Sequence, residues 1–173
     1  DVGEQRVIWV QLESSAVTDE NVRKLQAWVD QGGVLWIDTE LANQFELVPL
    51  WKARSDQMVA EALVAAKISH AVLEGLKPDD KVGFSLPSGN QVIAGLGEDF
   101  VRRGITPLLG WPVSPTRGFL ICAVRSRGRG TVIFRPRQID TSSAAGRRFE
   151  ENLRSWSFRV APLAKPEVEK KGR

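Results

Sequence analysis

Apolar residues fall in short runs at the start of the chain: Val7-Ile8-Trp9-Val10, then Val22, Leu25, Trp28 and Val29, then Val34-Leu35-Trp36-Ile37. The first and last runs are apolar on both faces, as strands buried inside a parallel sheet should be. The middle set recurs at helical spacing while Arg23, Lys24, Gln26 and Asp30 face water, which predicts a helix over Asp19–Gln31. Thr18 is placed to cap that helix, and Asp19 and Glu20 occupy the first turn, where the helix dipole favours acids. Gly32-Gly33 ends it, because a left-handed cap costs glycine little. The right-handed crossover rule then puts the helix on one face of a sheet with its two strands parallel.

Beyond residue 38 the pattern is less regular. A short helix is expected within 40–46, ended by Pro49. The stretch 57–67 reads equally as helix or strand. A turn with one helical turn is expected over 69–76. Short strands follow at 81–84 and 91–94 around the Pro87-Ser88-Gly89-Asn90 turn, and the Gly- and Pro-rich stretch from Gly104 to Pro115 reads as a loop. Gly118–Arg125 and Thr131–Arg135 read as a hairpin-like pair. A final helix is expected over 142–158, with Ala145, Phe149, Leu153 and Trp156 as its buried stripe. The organisation expected is one α/β domain over residues 1–160 and a flexible tail or linker over 161–173, whose composition offers no core.

With 173 residues, 42% of them hydrophobic and 26% charged, the chain suits one globular domain with a sizeable core. No apolar stretch is long enough to span a bilayer. The chain opens on Asp1 rather than Met, so a piece of a longer polypeptide is expected. A single cysteine, Cys122, excludes an internal disulfide framework and a cysteine-based zinc cluster. The net charge of +3 is unevenly spread: residues 1–50 carry three basic and nine acidic side chains, whereas residues 101–148 carry ten arginines and one acid, Asp140. Such asymmetry could gather into a basic face for an anionic ligand. Within it Arg125, Arg127, Arg129, Arg135 and Arg137 form the candidate anion-binding group, since alternate arginines on a hairpin share a face and offer forked hydrogen bonds to phosphate. No aromatic residues interleave with them, so nucleic acid is not expected as a partner.

A second candidate site is topological. Glu13, Ser14 and Ser15 follow the first strand, and Asp38, Thr39 and Glu40 follow the second. In a parallel sheet those loops are neighbours at the carboxyl ends, where ligands collect. Their carboxylates could hold a hard cation or serve a hydrolase or transferase; they serve equally as capping and solvated loop groups. The one histidine, His70, joins this candidate ligand or partner site, with packing or hydrogen-bonding of a turn as its other reading.

The order strand, hydroxyl-rich loop, helix ending in Ala27-Trp28-Val29-Asp30-Gln31-Gly32-Gly33, strand, then His70-Ala71-Val72-Leu73-Glu74-Gly75-Leu76, Gly128-Arg129-Gly130-Thr131-Val132-Ile133-Phe134 and Asn152-Leu153-Arg154-Ser155-Trp156 resembles the class I glutamine amidotransferase-like superfamily. The resemblance covers about residues 6–158 and is greatest to non-catalytic bacterial branches of unknown function within larger membrane-anchored proteins. It implies a three-layer α/β sandwich with a mainly parallel sheet, amidotransferase-like or flavodoxin-like. Active members carry a Gly-x-Cys-x-Gly nucleophile turn, whereas Cys122 lies inside the apolar run Leu120-Ile121-Cys122-Ala123-Val124, where a buried core residue is expected. Active members also place a proline after the histidine, where this chain has Ala71. The resemblance therefore implies a non-catalytic interaction or scaffolding module, with no cofactor and no metal. Its partner would be a protein or a neighbouring domain of the same polypeptide. Any membrane attachment would come through flanking segments, and the cell envelope is the implied location.

Overall fold

The computed structural model describes residues 7–11, 17–45, 50–52, 61–65, 68–85, 91–95, 100, 102–114 and 117–161. Strand β1 (Val7–Val10), helix α1 (Asp19–Asp30) and β2 (Val34–Asp38) form the expected unit, with Trp9 beside Trp36 in parallel register. Thr18 caps α1, its Oγ1 accepting from the Asn21 amide at 3.3 Å. Gly32, at φ 119°, turns the chain out of the helix in a conformation that a side chain would oppose. After β2 come a 3-10 turn (Thr39–Leu41), a single helical turn α2 (Ala42–Phe45) and β3 (Leu50–Lys52).

The remaining strands are β4 (Glu61–Val64), β5 (Lys81–Ser85), β6 (Gln91–Gly95), β7 (Ile105–Ser114), β8 (Arg117–Arg127), β9 (Gly130–Arg135) and β10 (Gln138–Ile139), with a 3-10 turn at Ala71–Leu73. Helix α3 (Ala144–Val160) closes the described chain, capped by Ser143, whose Oγ accepts from the Gly146 amide at 3.0 Å. Within the ambiguous 57–67 stretch Glu61–Val64 is strand, while 57–60, 66 and 67 lie outside the described residues. The turn expected at 87–90 and the tail after Ala161 lie outside the described residues.

The sheet runs β1-β2-β9-β8-β7-β4-β5-β10, with β6 on β8 and β3 on β6. Only β1–β2 and β2–β9 are parallel; every other described pairing is antiparallel. The result is a curled, mostly antiparallel half-barrel with two long helices. This corrects the expected three-layer sandwich with a mainly parallel sheet. The 7–38 unit is parallel because a helix crosses over between its strands; tight turns make β7–β8 and β8–β9 antiparallel, and the pairs β3–β6, β4–β5, β4–β7, β6–β8 and β5–β10 are antiparallel without one. One such turn joins β8 to β9, with Arg127 paired to Gly130.

The loop expected from Gly104 to Pro115 is also corrected: it is β7, ten residues long. Register shifts at Pro107/Leu109, Leu109/Gly110 and Pro112/Ser114 let the strand tolerate its prolines, as bulges commonly do. Leu108 and Leu109 are fully buried there, so apolar burial outweighs the Gly/Pro punctuation.

Two apolar cores flank the sheet. Ile8, Val10, Leu35, Ile37, Val132 and Phe134 face α1, packing with Val22, Leu25 and Val29. The alternate positions Val7, Trp9, Val34, Trp36 and Ile133 face α3, packing with Phe149, Leu153 and Trp156. Phe149 and Leu153 are both completely buried, and each such side chain contributes about 2 to 3 kcal/mol. Ala161, the first residue of the expected tail, is also buried in this core. Gly130 sits where β9 starts against the end of α1; a Cβ there would collide with the Val29 and Gly33 carbonyl oxygens.

Candidate functional site

The carboxyl ends of β2 and β9 place Asp38 opposite Arg135, register partners on the α3 face. Both are buried, at 0% and 2% exposure, in a setting where an unpaired charge would be untenable. The Arg135 fork grips Glu150 of α3 with both ends, Nη1 to Oε1 at 3.3 Å and Nη2 to Oε2 at 3.1 Å. Its Nε donates to the Pro136 carbonyl at 3.2 Å. The guanidinium carbon lies 4.5 Å from the Trp9 ring centre and 4.7 Å from that of Trp36, which themselves meet edge to face at 5.8 Å. Both contacts are within cation–π range.

The two indole N–H groups also find partners, as buried ones must. Trp9 Nε1 donates to Asp38 Oδ1 at 3.1 Å, and Trp36 Nε1 donates to Ser157 Oγ at 3.0 Å. Ser157 in turn donates to the Leu153 carbonyl at 2.7 Å. Arg137 approaches the other Asp38 oxygen at 3.5 Å, and Arg154 takes Glu150 Oε1 at 2.9 Å. A continuous polar and aromatic network thus joins β1, β2 and β9 to α3.

The structure distributes the other sequence-derived candidates. Thr39 is buried, donating its hydroxyl to the Ile121 carbonyl at 3.1 Å, so it anchors the strand end to β8. Glu13, Ser14 and Ser15 lie outside the described residues, as does the side chain of Glu40, whose backbone belongs to the 3-10 turn. His70 caps the 71–73 turn: its Nδ1 accepts from the Val72 amide at 3.2 Å, and its ring meets Trp156 edge-on at 4.7 Å. Burial holds its pKa below the usual 6.5.

The five candidate arginines are not brought to one face. Arg125 and Arg127 point from β8 toward the α1 side, and Arg127 meets Asp30 of α1 at 3.0 Å. Arg129 lies in the exposed β8–β9 turn. Arg135 and Arg137 belong to the opposite, α3 side, each engaged by an acid. The split follows from strand alternation and from the turn between the two strands.

Cys122 is completely buried, and burial pushes its thiol up to about 12, the reverse of an activated nucleophile. Among the described residues no three His, Cys, Asp or Glu side chains gather as a metal site, and no helix is long and apolar enough to cross a membrane. Sequence reasoning missed Trp9, Trp36, Glu150 and Ser157 as site residues. A usable signal existed: in-register parallel pairing of the first two strands puts both indoles side by side.

No protein-family model matches the chain, and no curated protein does. Among solved structures, a cytoplasmic protein of Salmonella typhimurium is similar with a TM-score of 0.51 and 13% identity, over 90% of this chain and 72% of that one. A β-galactosidase of Rahnella sp. R3 aligns with a TM-score of 0.49 and 13% identity, over 92% of this chain. A β-galactosidase of Bacillus circulans sp. alkalophilus aligns at 0.48 and 13%, over 90% of this chain. This chain spans 23% and 22% of those two enzymes. The Salmonella likeness bears on fold alone. Neither the Salmonella likeness nor the mostly antiparallel sheet points to a glutamine amidotransferase-like fold, so that resemblance is corrected. The bacterial envelope context drawn from it goes with it. The quoted segments encode strand ends, helix ends and turns, which unrelated folds share.

Proposed function

We propose that this chain is a non-catalytic interaction or scaffolding module of a longer polypeptide, acting on a protein or on neighbouring domains. One observation carries the reading: Asp38 and Arg135, the charged groups at the strand ends, are already engaged inside the fold. A catalytic carboxylate needs access to substrate, whereas Asp38 is fully buried and accepts from an indole. A guanidinium held by a carboxylate and two indoles fastens a helix to a sheet.

The test pairs turnover with stability. The purified chain is screened against nitrophenyl esters, phosphates and glycosides, alongside Asp38→Asn and Arg135→Met. The module reading expects no turnover above the buffer rate and lower melting temperatures in both variants. Turnover by the wild-type chain that disappears in Asp38→Asn at unchanged melting temperature would overturn it.

A further inference from the structure

The 70–76 segment docks on α3 through contacts that depend on the protonation state of one side chain. Val72 and Leu73 insert into the core at 0% and 7% exposure. Asn152 of α3 holds the segment from outside, its Nδ2 donating to the Val72 carbonyl at 3.1 Å and to the Glu74 carbonyl at 2.8 Å. His70 completes the dock from the other end. Its extended backbone, φ −145° and ψ 140°, leads into the 3-10 turn, and its Nδ1 accepts from the Val72 amide. Its ring packs on Trp156, also of α3.

That cap needs a lone pair on Nδ1, which only the neutral imidazole has. Protonation turns the acceptor into a donor that faces another donor, the Val72 N–H. We propose that His70 is an acid-released latch: its neutral ring fastens the 70–76 segment to α3, and its protonation loosens that segment locally.

Two forces oppose each other in the charged form. An imidazolium beside Trp156 gains some cation–π attraction, about 0.5–1 kcal/mol at partly exposed sites. Against this stand the lost cap and the cost of charging a half-buried ring. Glu74 ends the 71–73 turn and the Arg148 guanidinium of α3 lies beside Gly75, and the two are opposite in sign. Burial is left as the dominant influence, and it disfavours the charged ring, so the opposing terms resolve toward release.

His70 is the one histidine of the chain, so an imidazole titration has a single source. Amide exchange, corrected for intrinsic rates, is followed by NMR from about pH 7.5 to about pH 5, together with the His70 ring proton. Protection of the Val72 and Leu73 amides should fall about tenfold, with a midpoint matching the ring titration, while amides in β8 and β9 hold theirs. In His70→Asn, which keeps a capping acceptor without the titration, protection should be flat across this range. Unchanged protection while His70 titrates would sink the proposal, as would the same decline in His70→Asn. Should that variant not fold, the wild-type comparison of midpoints decides alone.

Discussion

Replacing Glu150 by Gln removes half of a buried ion pair and keeps its shape. Arg135, at 2% side-chain exposure, would be left without its counter-charge, while Glu150 itself is 12% exposed. Breaking a buried pair from one side costs about 3–5 kcal/mol, because the surviving charge stays desolvated. Three features place this case at the low end. Gln keeps one accepting oxygen, the Pro136 carbonyl still takes Nε, and the two indoles retain their attraction for the cation. We therefore expect about 3 kcal/mol. For a chain of this size that corresponds to a melting temperature lower by about 6 to 12 °C. The double variant Arg135→Met, Glu150→Leu removes both charges and should recover to within about 2 kcal/mol of the wild type, since an apolar replacement avoids desolvation. Loss of the exposed Arg154 contact adds less than about 1 kcal/mol. Urea unfolding followed by tryptophan fluorescence and circular dichroism measures all three proteins. A Glu150→Gln loss below about 1 kcal/mol, or a double variant weaker than the single, would refute the assignment of this pair as the fastening between sheet and α3.

Cys122 should resist a thiol reagent at pH 8 in the native protein and react within the mixing time in guanidinium; fast native labelling would contradict its burial. Gly130→Ala should cost several kcal/mol, about 3 or more, because the added Cβ meets two carbonyl oxygens of the α1–β2 turn; thermal melts check this. Ser143→Ala should lower stability by about 1 kcal/mol through loss of the α3 cap, read by urea midpoint. The His70 pKa is lower in the folded than in the unfolded state, so the unfolded chain binds more protons as pH falls below 6.5. Its contribution is complete above pH 6.5 and is lost as pH drops through the lowered folded value; His70→Asn should remove this part of the slope in a pH series of melts.

Local patterns were legible where a short segment carries its own instructions. The 7–38 unit, its Thr18 cap, the 118–135 hairpin and the α3 stripe depend on periodicity, capping oxygens and turn glycines, all within a few residues. The error over Gly104–Pro115 came from weighing those local signals alone: prolines argue for a loop until bulges and two neighbouring strands absorb them. Extending the parallel direction of β1–β2 to the whole sheet failed for a related reason. Strand direction is set by each connection and by distant partners, and the first crossover says nothing about the turns after residue 80.

The candidate site divides the same way. Asp38 could be recognised from the sequence as a strand-end acid and Arg135 as one arginine among many, but their roles could not. Solvation and pairing decide whether a charge is exposed for a ligand or buried as a fastening, and both depend on residues far away in the chain. Glu150 reaches Arg135 across fifteen positions, Trp36 reaches Ser157 across 121, and β2 meets β9 only once the sheet has formed. The amino-acid order by itself determined where strands and helices begin and what caps them. Only the tertiary structure decided how the strands run, which side each arginine takes, and that the charges at the strand ends hold the fold together.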